Sequence, residues 1–264
     1  MDLLKLKQLV RVGVLPLKTE QTVKALSTEE LLLTSDILPE WATVFSKTEQ
    51  EGDFQTYLFY NEMHYSASCK IKRIIDLVGA VIGLILMGMI FIPVALAIKI
   101  DSPGPIFYSQ IRCGLQGKPF RIWKFRTMFV EAEKQKHLVE NEADGYIFKN
   151  QNDPRITRVG KFLRCTSLDE FPQFWNVLKG EMSLVGTRPP TTDEVKLYQS
   201  HHYKRFLVKP GITGEWQVNG RSIIKSFDDI VRMDLDYQHK WSPLYDLNLI
   251  LKTISVVVLG KGAY

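Results

Sequence analysis

The stretch IIDLVGAVIGLILMGMIFIPVALAI, residues 74–98, is the most apolar run in the chain, and its reading sets the fold. Its only charge is Asp76, near the start. At about 1.5 Å per residue a helix of this length reaches roughly 37 Å, enough to cross a hydrocarbon core of about 30 Å. It starts too far into the chain to be a secretory leader and has no cleavage-like site after it. Pro93 lies inside it and removes the hydrogen bond to the carbonyl of Met89, so a bend is expected there. Lys70, Lys72 and Arg73 precede the segment and Lys99 follows it. Basic flanks belong on the cytosolic side. With both flanks basic, the expected arrangement is a re-entrant hairpin that enters, turns near Pro93 and leaves by the same face. A straight single span is the alternative.

Outward from this segment the chain divides by charge. Residues 1–68 hold 6 Lys or Arg against 10 Asp or Glu, a net of −4; the remainder holds 28 against 19, a net of +9. Three divisions are therefore expected: an acidic accessory region 1–68, a membrane segment 69–100 and a basic domain 101–264. A basic domain of this kind suits an anionic partner such as phosphate, nucleotide or anionic lipid. The chain is 45% hydrophobic and 24% charged, which excludes a largely disordered protein. A mean hydropathy of −0.08 excludes a polytopic membrane protein. Cys69, Cys113 and Cys165 are odd in number and match no zinc spacing, so three reduced thiols are expected.

The basic domain opens with DSPGPIFYSQ (101–110) and KPFRIWKFRTM (118–128), joined by the Gly-bounded CGLQG, which reads as a β-hairpin. Lys124 and Arg126, two residues apart, would share a face, either as a solvated edge or as a phosphate-facing pair. A polar helix is expected over about 129–144. Arg155, Arg158, Lys161 and Arg164 recur every three residues, which on a helix drifts around the barrel; most read as surface or lipid-headgroup residues.

Asp169-Glu170 is the candidate reaction centre. A helix is expected to start here, capped by Ser167 with Glu170 in a capping box, or by Asp169, a register that suits Pro172 better. Both carboxylates would then lie in the first turn, where the helix dipole favours negative charge. Neighbouring helix residues point about 100° apart, so the acids cannot flank one sugar as a glycosidase pair does. They can divide labour, one attacking phosphorus and one holding Mg²⁺, which takes one or two carboxylates plus substrate phosphates. Such a pair on its own is more often a helix cap. Gly180 would close that helix. Arg188 lies in a turn before Pro189-Pro190, and KPGITGEWQVNGRS (209–222) forms a loop carrying Lys209, Gln217, Asn219 and Arg221. Residues 227–240 read as an amphipathic helix. Residues 244–260 are too short to cross a membrane and belong at its face or in the core. STEELL (27–32) reads as a helix start and DFQTYLFYNEMHY (53–65) as an aromatic-rich strand.

SPGPIFYSQIRCGLQGKPFRIWKFRTM, TSLDEFPQFWNVLKGEMSLVGTRPP and KPGITGEWQVNGRS, in this order, make the run from Lys72 to about Leu259 resemble the bacterial sugar transferase family. These are monotopic polyprenyl-phosphate phosphoglycosyl transferases that initiate exopolysaccharide, capsule and O-antigen assembly. The resemblance implies an α/β (α+β) monotopic membrane protein. A re-entrant membrane helix would precede a small catalytic domain with a β-hairpin and amphipathic interfacial helices, on the cytosolic face of the bacterial inner membrane. It implies that Asp169 attacks the β-phosphorus of a UDP-sugar, that Glu170 holds Mg²⁺ and that Arg164, then Arg188, clamps phosphate. Lys124, Arg126, Gln217 and Arg221 would contact nucleotide or sugar. Polyprenyl (undecaprenyl) phosphate and membrane lipid are the implied partners, with downstream glycosyltransferases; a homodimer is left open, and nucleic acid is not expected as a partner. The family commonly has Ser-Pro at the membrane kink where this chain has Ile92-Pro93. The competing function is an inactive membrane-bound scaffold or regulator of the same pathway.

Overall fold

In the computed structural model residues 63–142, 147–148, 150–219, 224 and 226–258 are described. The expectations for 27–32, for residues 53–62 and for Arg221 lie outside them. The apolar segment forms one helix. After a short turn of helix, α1 (Tyr65–Ser68), α2 runs 32 residues from Lys70 to Asp101 and is the one described helix long and apolar enough to cross a membrane. Pro93 lies inside it and the helix is unbroken there. The segment expected to turn near Pro93 is thus one continuous helix, and any return toward the entry face is made by bending within it.

A helical repeat brings every third or fourth residue to one face. Along α2 the buried positions are Lys72, Asp76, Ala80 and Gly83, then Val94 and Ile98. That stripe packs on the rest of the protein along the helix. The opposite face leaves Ile74, Val78, Val81, Ile85, Met89, Ile92 and Leu96 exposed, a surface suited to lipid. At Gly83 the ring of Phe174 occupies the space a Cβ would need, so the glycine lets α2 and the helix that carries Phe174 approach closely.

The strand pattern of the hairpin is realised in register. β1 (Phe107–Cys113) pairs antiparallel with β2 (Pro119–Phe125), Tyr108 lying opposite Lys124 and Arg112 opposite Phe120. The expected polar helix over 129–144 does not form. Glu131 adopts a left-handed backbone (φ 66°), and only a short 3-10 segment, Ala132–Leu138, follows. α3 (Arg158–Cys165) is capped by Thr157, which accepts from the Gly160 N–H at 2.9 Å. Asp101, the last residue of α2, accepts from the Val159 N–H at 2.9 Å. α4 (Gln173–Lys179) ends at Gly180 in the left-handed conformation (φ 85°), as its sequence signalled.

β3 (Ser183–Val185) pairs in parallel with β4 (Gly211–Thr213), a two-stranded sheet that three-residue strands do not advertise. The short helices α5 (Thr192–Val195) and α6 (Glu215–Asn219) flank it, and α7 (Phe227–Lys240) and α8 (Pro243–Val258) complete the described chain. α7 matches its expected span. One apolar core joins Ala80 of α2 to Ile122, Val177, Met182, Val185, Tyr237 and Leu249. A second joins Val94 and Ile98 to Phe125 and Leu163, with Phe91, Phe107, Leu168 and Phe171 packed against it. α8 buries Leu249 and leaves Leu244, Leu247, Leu251 and Ile254 exposed, so it offers an apolar stripe beside a packed face. Among the described residues the fold is thus a mixed α+β domain built on one long apolar helix.

The polar residues of α2 are joined to the domain. Lys72 Nζ donates to the Val185 carbonyl at 2.9 Å and is ion-paired with Asp246 of α8. Asp76 accepts from Ser183 Oγ at 2.8 Å and from the Leu184 N–H at 2.9 Å. Arg73 donates to the carbonyls of Val177 and Leu178, both at 2.7 Å, at the end of α4.

Candidate active site

The segment between α3 and α4 builds the acidic centre. Ser167 takes a left-handed backbone (φ 55°), an uncommon state for serine that turns the chain sharply. Leu168–Glu170 then form a single 3-10 turn, and α4 begins after Pro172. Neither expected cap exists: Ser167 makes no side-chain capping bond, and Asp169 lies in the turn before α4 rather than at its start. Pro172, with its fixed φ and no N–H, takes the N-cap position of α4 and ends the continuity that a capped helix from Ser167 would require. Leu168 and Phe171 flank the acids in sequence and pack in the core that α2 contributes through Phe91, Val94 and Ile98. Phe171 meets Phe174 edge-on at 5.6 Å between ring centroids. The acids are thereby held on a tight, apolar-anchored turn beside the second half of the long apolar helix.

Asp169 is buried, with 7% of its surface exposed. Glu170 is partly open and accepts from Lys124 Nζ at 3.0 Å, joining the turn to the end of β2. Arg164, in the last turn of α3, donates from Nε to Thr127 Oγ1 at 2.9 Å. The sequence-expected pair on β2 is split. Lys124 faces the acidic turn, whereas Arg126 is buried and donates to the carbonyls of Pro103 and Ser102, both at 2.7 Å. Those bonds close the loop after α2, so Arg126 acts here as a structural brace; burial lowers its pKa. Arg155 is likewise no surface residue. It is buried against Asp153, with Nη2 to Oδ2 at 2.7 Å. Burial alone would raise the Asp153 carboxyl, but the Arg155 hydrogen bonds outweigh it and hold the group below its usual range. Arg158 and Lys161 are exposed as expected.

Gln217, on α6, donates to the Ile212 carbonyl at 3.1 Å and leaves its buried Oε1 without a partner among the described residues. Arg188 is half-buried in the turn after β3, its carbonyl accepting from Arg205 Nη2 at 3.3 Å. Two residues that motif reasoning passed over join this framework. Asn176 of α4 is fully buried and bridges to β2, donating to the Arg121 carbonyl at 2.7 Å and accepting from the Trp123 N–H at 3.3 Å. Arg112 of β1 donates to the Pro189 carbonyl at 3.0 Å, beside Arg188. The strand alternation of β1 was the signal for Arg112; no local pattern marks Asn176.

The donor set is all oxygen: two adjacent carboxylates on a rigid turn, one of them paired with a lysine. Oxygen ligands of this kind fit a hard divalent cation that takes its remaining ligands from phosphate and water.

Residues 67–260 match the family model described as bacterial sugar transferase. The chain is 50% identical over 207 residues to a galactosyl transferase, CpsE, of Streptococcus agalactiae, covering 78% of this chain and 45% of that protein. It is 36% identical over 245 residues to the UDP-glucose:undecaprenyl-phosphate glucose-1-phosphate transferase of Escherichia coli, covering 90% and 51%. It is 39% identical over 202 residues to the exopolysaccharide production protein ExoY of Rhizobium meliloti, covering 73% and 88%. The chain spans about half the length of the first two relatives. The match covers the long apolar helix, the hairpin and the acidic turn together, and on it the chain belongs to the bacterial sugar transferase family.

Proposed function

We propose that this protein transfers a phosphosugar from a UDP-sugar to polyprenyl phosphate at the membrane surface, releasing UMP. The observation that carries the reading is the buried Asp169 on a strained turn beside the membrane helix, next to the Lys124–Glu170 pair. An Asp169 carboxylate oxygen attacks the β-phosphorus of the donor. The bond from that phosphorus to the bridging oxygen breaks, and UMP leaves with the electron pair. A phosphate oxygen of the polyprenyl carrier then attacks the same phosphorus, and the aspartate departs as a free carboxylate. The names of the relatives support a hexose donor, galactose or glucose, and undecaprenyl phosphate as acceptor.

Mg²⁺ bound through Glu170 would offset phosphate charge. Lys124 orients Glu170, and Arg164 and Arg188 would hold phosphate oxygens by charge-assisted hydrogen bonds. Gln217, with a buried acceptor, and Arg221 remain candidates for the nucleotide or sugar. Residues 1–68 would serve as an accessory region, and downstream glycosyltransferases would be the partners that take up the product.

A monotopic, re-entrant placement is supported by the two ends of α2. A helix of 32 residues is about 48 Å long if straight. Lys72 and Asp76 near one end bond to β3 and α8, and Asp101 at the other bonds to α3. A straight span would put those two ends on opposite sides of the bilayer, where one folded domain could not hold both. The domain would then face the cytosol of a bacterial inner membrane. The test is UMP release from a panel of UDP-sugars by membranes carrying wild type or Asp169→Asn, with polyprenyl phosphate added. Release by wild type alone supports the enzyme. A wild type inert toward every donor favours a scaffold, and full turnover by Asp169→Asn removes the aspartyl step.

A further inference from the structure

Alternation along β1 puts Tyr108, Gln110 and Arg112 on one face, the face that also carries Lys124 across the hairpin. The end of β1 is stitched to the segment that follows Arg188. Arg112 bridges to Thr191, and the Cys113 N–H donates to the Pro190 carbonyl at 3.0 Å. The Arg112 guanidinium donates through Nη1 to the Pro189 carbonyl at 3.0 Å and through Nε to Gln110 Oε1 at 3.0 Å. Two arginines are thus gathered at one turn.

Their charge is not balanced locally. Arg205 and Arg155, which are buried, each have an aspartate, Asp234 at 2.7 Å and Asp153 at 2.7 Å. Among the described residues no carboxylate is ion-paired with Arg112 or Arg188. Glu194, a carboxylate that does act on Arg112, already accepts from the Thr191 N–H at 2.9 Å in the capping box of α5. Burial, then the neighbouring Arg188, push the Arg112 guanidinium down to about 10. Holding two half-buried cations side by side is unfavourable unless an anion joins them.

We propose that Arg112 and Arg188 form a two-guanidinium clamp for a phosphate group of a substrate. The inference rests on the transferase reading and adds Arg112 to the binding residues. The planar fork of arginine matches phosphate oxygens in pairs, and the Pro189 and Gln110 bonds fix the orientation of the Arg112 fork before the anion arrives. The phosphate can come from the nucleotide donor or from the lipid acceptor.

The experiment is direct binding to the full chain in lipid nanodiscs, comparing wild type, Arg112→Gln and Arg112→Lys, with UDP and a short-chain polyprenyl phosphate titrated separately. Arg112→Gln is expected to weaken one of the two by about ten-fold or more, and Arg112→Lys, which keeps the charge and loses the fork, by about three-fold. A loss confined to UDP assigns the clamp to the donor, and a loss confined to the lipid assigns it to the acceptor. Both affinities within about two-fold of wild type in a folded glutamine variant overturn the clamp. So does an unchanged lysine variant where the glutamine variant fails to fold, or a wild type that binds neither anion. A wild type that binds UDP, loses it on Arg112→Gln and yet releases no UMP from any donor sinks the transferase reading and leaves the clamp standing.

Discussion

The carboxamide of Asn176 lies against the edge of β2 as a strand partner would, accepting from the Trp123 N–H at 3.3 Å and donating to the Arg121 carbonyl at 2.7 Å. It also donates to Glu181 at 2.7 Å. One buried side chain therefore fixes the helix that follows the acidic turn to the strand whose next residue is Lys124. Asn176→Leu leaves three polar groups without this partner, each worth about 1–3 kcal/mol if buried. The expected outcome is a lower thermal midpoint together with slower UMP release, because the Lys124–Glu170 contact depends on the same junction. Unchanged melting and turnover would show that β2 and α4 hold their positions without it.

The ion pair of Lys72 with Asp246 is buried on both sides. Tyr237 Oη donates to Asp246 at 2.8 Å and Trp241 Nε1 at 3.1 Å. Asp246→Ala is expected to destabilise by about 3–5 kcal/mol, since it strands a buried ammonium. Adding Lys72→Met should recover part of that loss, and a double-mutant cycle by denaturant titration in detergent measures it. Equal destabilisation by the single and double variants would mean that the pair is not coupled.

His202 gives a pH dependence. It is buried and accepts at Nδ1 from the Gln199 N–H at 3.0 Å, which leaves Nε2 to carry the proton toward Asp228 at 3.0 Å. Burial lowers its pKa, and the Asp228 hydrogen bond only partly opposes this. A histidine depressed in the folded state takes up its proton more readily when unfolded, so its contribution falls as pH drops through the unfolded value of about 6.5 toward the folded one. The thermal midpoint of wild type should therefore fall more between about pH 7.5 and about pH 5.5 than that of His202→Gln, which does not titrate. Parallel curves would refute it. The same bonding argues against a cation shared by His201, His202 and Asp228, because metal at His202 Nε2 would leave that ring without a proton on either nitrogen.

Thiol labelling offers a check on the packing. Cys165 is exposed, and Cys69 and Cys113 are buried. Burial pushes the Cys113 thiol up to about 12, so little reactive thiolate forms near neutrality. A maleimide should modify native protein at Cys165 first, with the other two reacting only after denaturation. Prompt labelling of Cys113 would contradict the contact of β1 with Pro190.

Long-period features were legible in the sequence. The hydropathy of α2, the alternation of β1 and β2 and the amphipathic α7 extend over enough residues for a pattern to show, and the acidic turn was found through its motif. Short or non-local features were hidden. β3 and β4 pair through three residues each, too few for periodicity. The left-handed Ser167 and Glu131 defeated a helix start and a helix respectively. Lys72 and Arg73 looked like cytosolic flank charges because their partners, Asp246 and the end of α4, are far along the chain. The flank-charge argument thus counted residues whose charges are bonded within the protein. Their contacts nevertheless support the topology it favoured, by holding that end of α2 to the domain.

That separation has a consequence for biosynthesis. Lys72 and its counter-charge are 174 residues apart in sequence. At about 5–20 residues per second, on the order of ten to thirty seconds pass between their emergence from the ribosome. Throughout that interval Lys72 has only Asp76, one turn along the same helix, to offset its charge. The final seating of that end of α2 is therefore a late event, completed when α8 brings Asp246 to Lys72, and chains truncated before Asp246 should be substrates for quality-control proteases.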